Sequence, residues 1–278
     1  MSQHMLPFKK MHSLGNDFVI FDEPAHVTPD MIRFLSDRRL GVGCDQVLEV
    51  LPSSRDNVHA ALRIFNADGT EAEACGNGTR CVMWNLAQTY GTSCVTIESS
   101  SGLLTGRVMD HQEVEVTQGM PHLLSDEALP LDDFGCDEGY AVTMGNPHLV
   151  VPVTRFSPDN MTRIGPRLEA HPFFPDKTNV EFVRQNPDGT LTLWVWERGT
   201  GRTQACASGT CAAVFALKHE GILEHDTVLV HLEGGDLWVT CRPDAPIAHR
   251  GSVALVFEGS IQLASNGKPQ THRCSSTG

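Results

Sequence analysis

Basic charge is the first thing this chain is short of: 21 Lys and Arg stand against 34 Asp and Glu, a net charge of −13 over 278 residues. A nucleic-acid partner needs a basic surface to neutralise phosphates, so no nucleic acid is expected, and an anionic membrane surface is disfavoured for the same reason. Long apolar runs are missing too. No stretch approaches the ~20 residues of a membrane span, and the opening MSQHMLPFKK has no apolar core of a signal peptide. A cytoplasmic protein with no membrane partner is the expectation. Cys-x-x-Cys pairs are also absent, although cysteine stands at 44, 75, 81, 94, 136, 206, 211, 241 and 274. Zinc therefore has little support and no metal is expected. Nine thiols, an odd number, in a chain large enough to bury its own core argue against a disulfide framework. They are either packing or chemistry.

What is present is ordinary globular composition, 40% hydrophobic and 20% charged, with length enough for two domains. Short apolar runs with period-two character recur at 18–21, 47–51, 61–65, 114–116, 141–144, 149–153, 180–183, 191–196, 228–232, 237–240 and 253–257. Such runs between turn residues predict many short, mostly antiparallel strands. Helical patterns are few. Residues 30–37 form one, with Thr28 as N-cap and Pro29 at its start; 80–90 and 210–220 form two more, stopped by Gly91 and Gly221. The last two are apolar around most of their circumference, which marks buried helices.

Aligning those helices by their beginnings exposes a repeat. Ala74-Cys75-Gly76-Asn77-Gly78-Thr79 is answered by Ala205-Cys206-Ala207-Ser208-Gly209-Thr210, each behind a strand-like run ending in a turn. The fold expected is α/β (α+β): two pseudo-symmetric domains, each a mostly antiparallel strand barrel around a central buried helix. The boundaries expected are 1–117 and 118–264, with a last strand near 252–263 packing back on the first domain and an unstructured tail at 265–278.

A small-residue loop opening a helix presents unpaired N–H groups and partial positive charge, so it can hold a carboxylate. The same field favours thiolate. At an unperturbed pKa near 8.5 only ~3% of a thiol is ionised at neutral pH, and a helix terminus contributing ~1–2 kcal/mol lowers the pKa by about one unit. Two matched loops suggest two thiols facing one carbon. One removes a Cα proton, the other delivers a proton to the opposite face, and the centre inverts. The remaining cysteines, Cys81, Cys94, Cys136, Cys211 and Cys241, read as packing.

Further segments fall in order along the chain: 11–18 (MHSLGNDF), 41–46 (GVGCDQ), 65–69 (FNADG), 74–81 (ACGNGTRC), 145–148 (GNPH), 178–182 (TNVEF), 196–199 (WERG) and the second cysteine loop. With these the chain resembles the diaminopimelate epimerases, cofactor-independent enzymes of lysine and peptidoglycan precursor biosynthesis. The resemblance implies interconversion of L,L- and meso-2,6-diaminopimelate without pyridoxal phosphate or any other cofactor, by a homodimer. It implies Cys75 and Cys206 as the acid/base pair, and His148 and Glu197 as groups tuning their ionisation. It implies Asn16, Gln46, Asn66, Asn146, Asn179, Glu197 and Arg198 as substrate contacts, with the backbone at Gly76, Asn77, Ala207 and Ser208 holding the reacting carboxylate. Arg198 suits a distal carboxylate because its guanidinium pairs in two-pronged fashion. Plainer readings stay open at this point: a turn at Pro147-His148, a surface ion pair at Glu197-Arg198, and conformational roles for Asn16 and Asn66.

Three positions depart from the family pattern. Ala207 stands where Gly is usual, which costs little if its φ is helical and strains the chain if φ is positive. Ser13 replaces a common Gly, and Cys44 is expected as a third thiol near the site. The alternatives are a two-cysteine racemase of another amino acid such as histidine, a one-thiol hydrolase with His148 as base, and a reversible thiol switch.

Overall fold

The structure, a computed structural model, describes residues 5–262 apart from 73, 101, 110, 111 and 156. The tail expected at 265–278 lies outside the described residues. One order of elements occurs twice. The first set is β1 (Met5–Ser13), β2 (Asn16–Phe21), α1 (Pro29–Ser36), β3 (Gln46–Leu51), β4 (Ala60–Asn66), β5 (Glu71–Ala72), α2 (Gly76–Tyr90), β6 (Cys94–Ser99), β7 (Gly102–Val108) and β8 (Glu113–Thr117). After the short strands β9 (His122–Leu123) and β10 (Leu129–Pro130), the order returns. It runs β11 (Glu138–Thr143), β12 (Pro147–Pro152), α3 (Pro158–Glu169), β13 (Asn179–Gln185), β14 (Leu191–Glu197), β15 (Gly201–Thr203), α4 (Ala207–His219), β16 (Thr227–Leu232), β17 (Gly235–Thr240) and β18 (Ala248–Ser252). β19 (Ala254–Gln262) follows.

The pairing repeats with the order. β1–β2 is antiparallel, β2–β3 parallel, β3–β4 antiparallel, β4–β6 parallel, and β6–β7–β8 antiparallel. The same sequence of senses runs through β11–β12, β12–β13, β13–β14, β14–β16 and β16–β17–β18. Parallel neighbours need a crossover, and each parallel pair here is bridged by a helix-bearing connection. The sheet is therefore mixed, with antiparallel pairs in the majority, as the period-two runs imply. Two seams join the sets: β8 pairs with β18, and β19 returns to pair with β1 from Met5↔Gln262 to His12↔Ala254.

α2 and α4 are the buried helices. Cys81, Val82 and Met83 of α2 and Cys211, Ala212, Ala213 and Val214 of α4 are wholly enclosed, each group in its own apolar cluster with the strands around it. Both begin earlier than the apolar pattern predicts. α2 starts at Gly76 and α4 at Ala207, so the small-residue loops are themselves the first turns. Gly, Asn and Ser have weak helical propensity and read as loop, but an N-cap and tertiary packing override that preference. α1 spans Pro29–Ser36 with Thr28 capping it, and Gly91 ends α2 in the left-handed region. α3 has no counterpart among the predicted helices. Gly165 and Pro166 inside it masked the spacing of Met161, Ile164 and Leu168, which are its buried face.

Candidate active site

Each cysteine of the repeat is the N-cap of its helix. Cys75 and Cys206 have extended backbones (φ −152°, ψ 99° and φ −129°, ψ 114°), and each Sγ accepts from the N–H three residues on, Gly78 and Gly209, at 3.4 Å. The two first turns abut. A Cβ on Gly76 would stand 2.6 Å from the Ala207 methyl, and Asn77 Nδ2 of one turn donates to Ala205 O beside the other at 3.0 Å. The Glu197 charge opposes ionisation of both thiols, so the two lie within reach of one carboxylate.

On the first side, the orientation of Asn16 follows from its neighbours. Arg38 bridges Asp17 and Asp45, and Asp45 Oδ2 can only accept, so it takes Asn16 Nδ2 at 2.9 Å. Asn16 Oδ1 then faces the site, accepting from Asn77 Nδ2 at 3.3 Å and from the Cys75 thiol at 3.7 Å. Burial works to raise the Asp17 carboxyl, but Arg38 and Lys10 hold it well below the usual range, so this clamp stays charged. Gln46 and Asn66 face each other across β3 and β4 with Gln46 Nε2 donating to Asn66 Oδ1 at 3.1 Å. Gln46 Oε1 is buried without a partner.

On the second side, Cys206 Sγ lies 3.4 Å from Ser208 Oγ. His148, fully buried, donates from Nδ1 to Glu181 Oε1 at 2.8 Å, and its Nε2 meets Asn146 Oδ1 at 3.1 Å. A turn reading for His148 therefore fails: it is an internal strand residue of β12. Asn179 Oδ1 accepts from the Arg198 backbone N–H at 2.9 Å, and its Nδ2 donates to Pro147 O at 3.0 Å. The Arg198 side chain is exposed and pairs with no carboxylate among the described residues, so no ion pair joins Glu197 to Arg198. Glu197 instead accepts from Thr203 Oγ1 at 2.5 Å, and burial raises its carboxyl.

The expected depression of the thiol pKa values does not occur. Burial pushes Cys75 up to about 12, and burial with Glu197 and Glu181 pushes Cys206 well above the usual thiol range, outweighing the N–H groups that pull each down. The dipole acts as anticipated, but desolvation is the larger effect. Cys81 and Cys211 are raised for the same reason. These thiols stay protonated in the fold at a pH where the unfolded chain ionises. Their stabilisation is complete below about pH 9 and is lost as pH climbs from there toward 12. Thermal unfolding followed at about pH 8, 9 and 10 is expected to show a falling midpoint, and a flat response would refute the burial effect.

The three departures resolve differently. Ala207 lies in the first turn of α4 and is not among the residues with positive φ, so its methyl costs no backbone strain. Ser13 is fully buried: its Oγ donates to Ser252 O at 2.6 Å and accepts from the enclosed Arg80 at 3.1 and 3.0 Å. Cys44 is not a third thiol of the site. It packs with Phe21, Ile32, Leu35 and Val47 beneath α1, its Sγ 3.5 Å from Ser36 Oγ. Sequence reasoning missed Asp45, Arg80 and Glu181. Glu181 carried a signal in its placement between Val180 and Phe182, a carboxylate in an otherwise apolar strand. A cavity of about 820 Å³ opens elsewhere, between Cys136, Val153, Arg184 and Leu217, and no predicted site residue lines it.

Comparison with known proteins bears on the whole chain. Among curated relatives, a diaminopimelate epimerase of Thioalkalivibrio sulfidiphilus is 40% identical over 279 residues, spanning 93% of this chain and 99% of the relative. One of Sphingopyxis alaskensis is 41% identical over 273 residues, spanning 94% and 98%. Among solved structures, a hydroxyproline epimerase of Agrobacterium vitis superposes with a TM-score of 0.70 at 16% identity, over 95% of this chain and 94% of that one. A predicted epimerase of Pseudomonas aeruginosa gives 0.72 at 17%, over 93% and 100%. At such identity these structures share the fold, a mixed-sheet α+β architecture with few helices. The sequence profile of the family described as diaminopimelate epimerase matches residues 8–124 and 140–256, and the chain belongs to that family.

Proposed function

We propose that the protein interconverts L,L- and meso-2,6-diaminopimelate by moving a Cα proton between Cys75 and Cys206. The observation that carries this reading is the pair of matched thiols, each capping a buried helix, at two first turns that touch through Gly76 and Ala207. The substrate carboxylate would sit on the free N–H groups of those turns at Gly76, Asn77, Ala207 and Ser208, where both helix dipoles oppose the charge that develops as the proton leaves. One thiolate takes the Cα proton from one face and becomes a thiol. The other thiol gives its proton to the opposite face and is left as thiolate, so the count balances.

Around that centre, Asn16, Gln46, Asn66, Asn146 and Asn179 would serve the ammonium and carboxylate groups of the substrate. The guanidinium of Arg198, which donates to the Asp176 carbonyl at 3.5 Å and meets no carboxylate among the described residues, would take the distal carboxylate. His148 and Glu197 would set the ionisation of the thiols, since Glu197 acts on both. The repeated strand pairing supports two barrel-like domains, 1–117 and 118–264, with the site between them. A homodimer in the cytoplasm belongs to the same proposal. Proton NMR in D₂O, under reductant, tests it. The Cα–H signal of L,L-diaminopimelate is expected to vanish as meso product forms, with L-histidine unchanged in parallel. Exchange into histidine alone would overturn the substrate; no exchange into either would overturn the reaction.

A further inference from the structure

The two thiol sites match in backbone but not in the floor beneath them. Parallel pairing sets Phe18 of β2 against Gln46 of β3, and His148 of β12 against Asn179 of β13. Leu48 and Glu181, two residues further along β3 and β13, are therefore equivalent. Each lies under the first turn of its helix. A Cβ on Gly78 would stand 2.8 Å from Leu48 Cδ2 and 3.3 Å from Phe18 Cε1, whereas a Cβ on Gly209 would run into Glu181 Oε1. The first turn of α2 thus rests on leucine and phenylalanine, and that of α4 on a carboxylate joined to an imidazole at 2.8 Å, both fully buried. Glu181 Oε2 has no hydrogen-bond partner among the described residues.

A second asymmetry has the opposite sign. Five residues beyond Cys75, α2 carries Arg80, wholly enclosed and held by Ser13, Asn77 and His249 with no carboxylate on it. The matching position in α4 is Cys211. Charges this deeply buried are screened less than charges at the surface.

Resting on the two-thiol reading above, we propose that Glu181, held by His148 beneath the first turn of α4, is a positioning residue that keeps the proton on Cys206 and makes Cys75 the thiol that ionises first. The groups facing the pair are Glu197 on β14, Glu181 on β13, His148 on β12, Arg80 on α2 and, through Glu197, Asp45 ahead of β3. Burial and Glu197 oppose ionisation of both thiols. Three groups set them apart: Glu181, which opposes a thiolate at Cys206, the Ser208 hydroxyl at 3.4 Å, which favours one there, and Arg80, which favours one at Cys75. Glu181 Oε1, the oxygen that accepts from His148, is also the oxygen nearest Gly209, so the carboxylate is the member of this pair that lies beneath the first turn of α4.

The experiment is competitive alkylation of the reduced, full-length protein with iodoacetamide. Peptide mass spectrometry reads Cys75 and Cys206, and exposed Cys94 serves as internal reference. In the wild type, Cys75 is expected to react before Cys206, and as pH is raised its rate is expected to begin climbing at a lower pH than that of Cys206. Glu181→Gln, which keeps the shape and removes the charge, is expected to raise the Cys206 rate about tenfold relative to Cys94, the factor for one pKa unit. Cys75 should change little, and accessibility cancels in the ratio between the two proteins. Should Glu181→Gln not fold, Glu181→Leu copies the floor of the first site, and the wild-type order of reaction stands as a separate readout. Cys206 reacting first, or an unchanged ratio in a folded variant, overturns the proposal. Proton exchange into diaminopimelate, followed on the same wild-type sample, separates this outcome from failure of the epimerase reading.

Discussion

Cys75→Ser and Cys206→Ser are each expected to abolish epimerisation, lowering kcat by at least about 10²–10⁴-fold, the usual worth of a positioned acid or base. Serine is the informative replacement because it separates two jobs of the same atom. Each Sγ caps a helix through one N–H at 3.4 Å, and a hydroxyl caps at least as well, so the loss of stability should stay well under the ~1 kcal/mol of a missing cap. A hydroxyl is nevertheless too weak an acid to become the base. The measurement is turnover of L,L-diaminopimelate beside the thermal midpoint of each variant. Loss of activity from one replacement only would favour a one-thiol hydrolase, and near-normal turnover from either variant would end the two-thiol mechanism.

The second large effect belongs to the contact between the two first turns. Gly76→Ala would place a methyl 2.6 Å from that of Ala207 and 3.0 Å from His249 Nε2, where neither neighbour is the free end of a flexible chain. Overpacking of this kind costs about 1–3 kcal/mol. Because it acts by prising the thiol loops apart, turnover is expected to fall about 100-fold, the scale of a misplacement near 1 Å. Ala207→Gly alone should be nearly silent, since Ala207 has no strained φ to relieve. In the double variant Gly76→Ala/Ala207→Gly the methyl changes sides, and most of the lost activity should return, with the His249 contact left as a residual cost. The four kcat values form a double-mutant cycle. Additive effects would show that the two turns do not meet.

The two helix starts were legible in the sequence. The repeated Cys-x-x-Gly-Thr loops announced two helix starts, and the structure places Cys75 and Cys206 as their N-caps. The strand runs were legible because period-two alternation survives in β8, β14 and β17. α3 was hidden by Gly165 and Pro166, and the first turns of α2 and α4 by residues whose intrinsic preference is for loops. Arg198 was recognised as a candidate, but whether it was engaged with Glu197 depended on where each side chain turned, and that is a matter of packing.

The amino-acid sequence determined which groups are available and roughly where they fall along the chain: two thiols in small-residue loops, a set of amides, and a net negative charge. Those are local properties, carried by composition, spacing and the short-range geometry of helix starts. Only the tertiary structure decided the ionisation of the thiols, because desolvation depends on how deeply strands from distant parts of the chain enclose them. It overturned the lowered pKa that a lone helix terminus implies. Only the tertiary structure, likewise, put Glu181 under the first turn of α4 and Leu48 under that of α2, since a parallel register between strands about 30 residues apart is invisible in the order of the residues themselves.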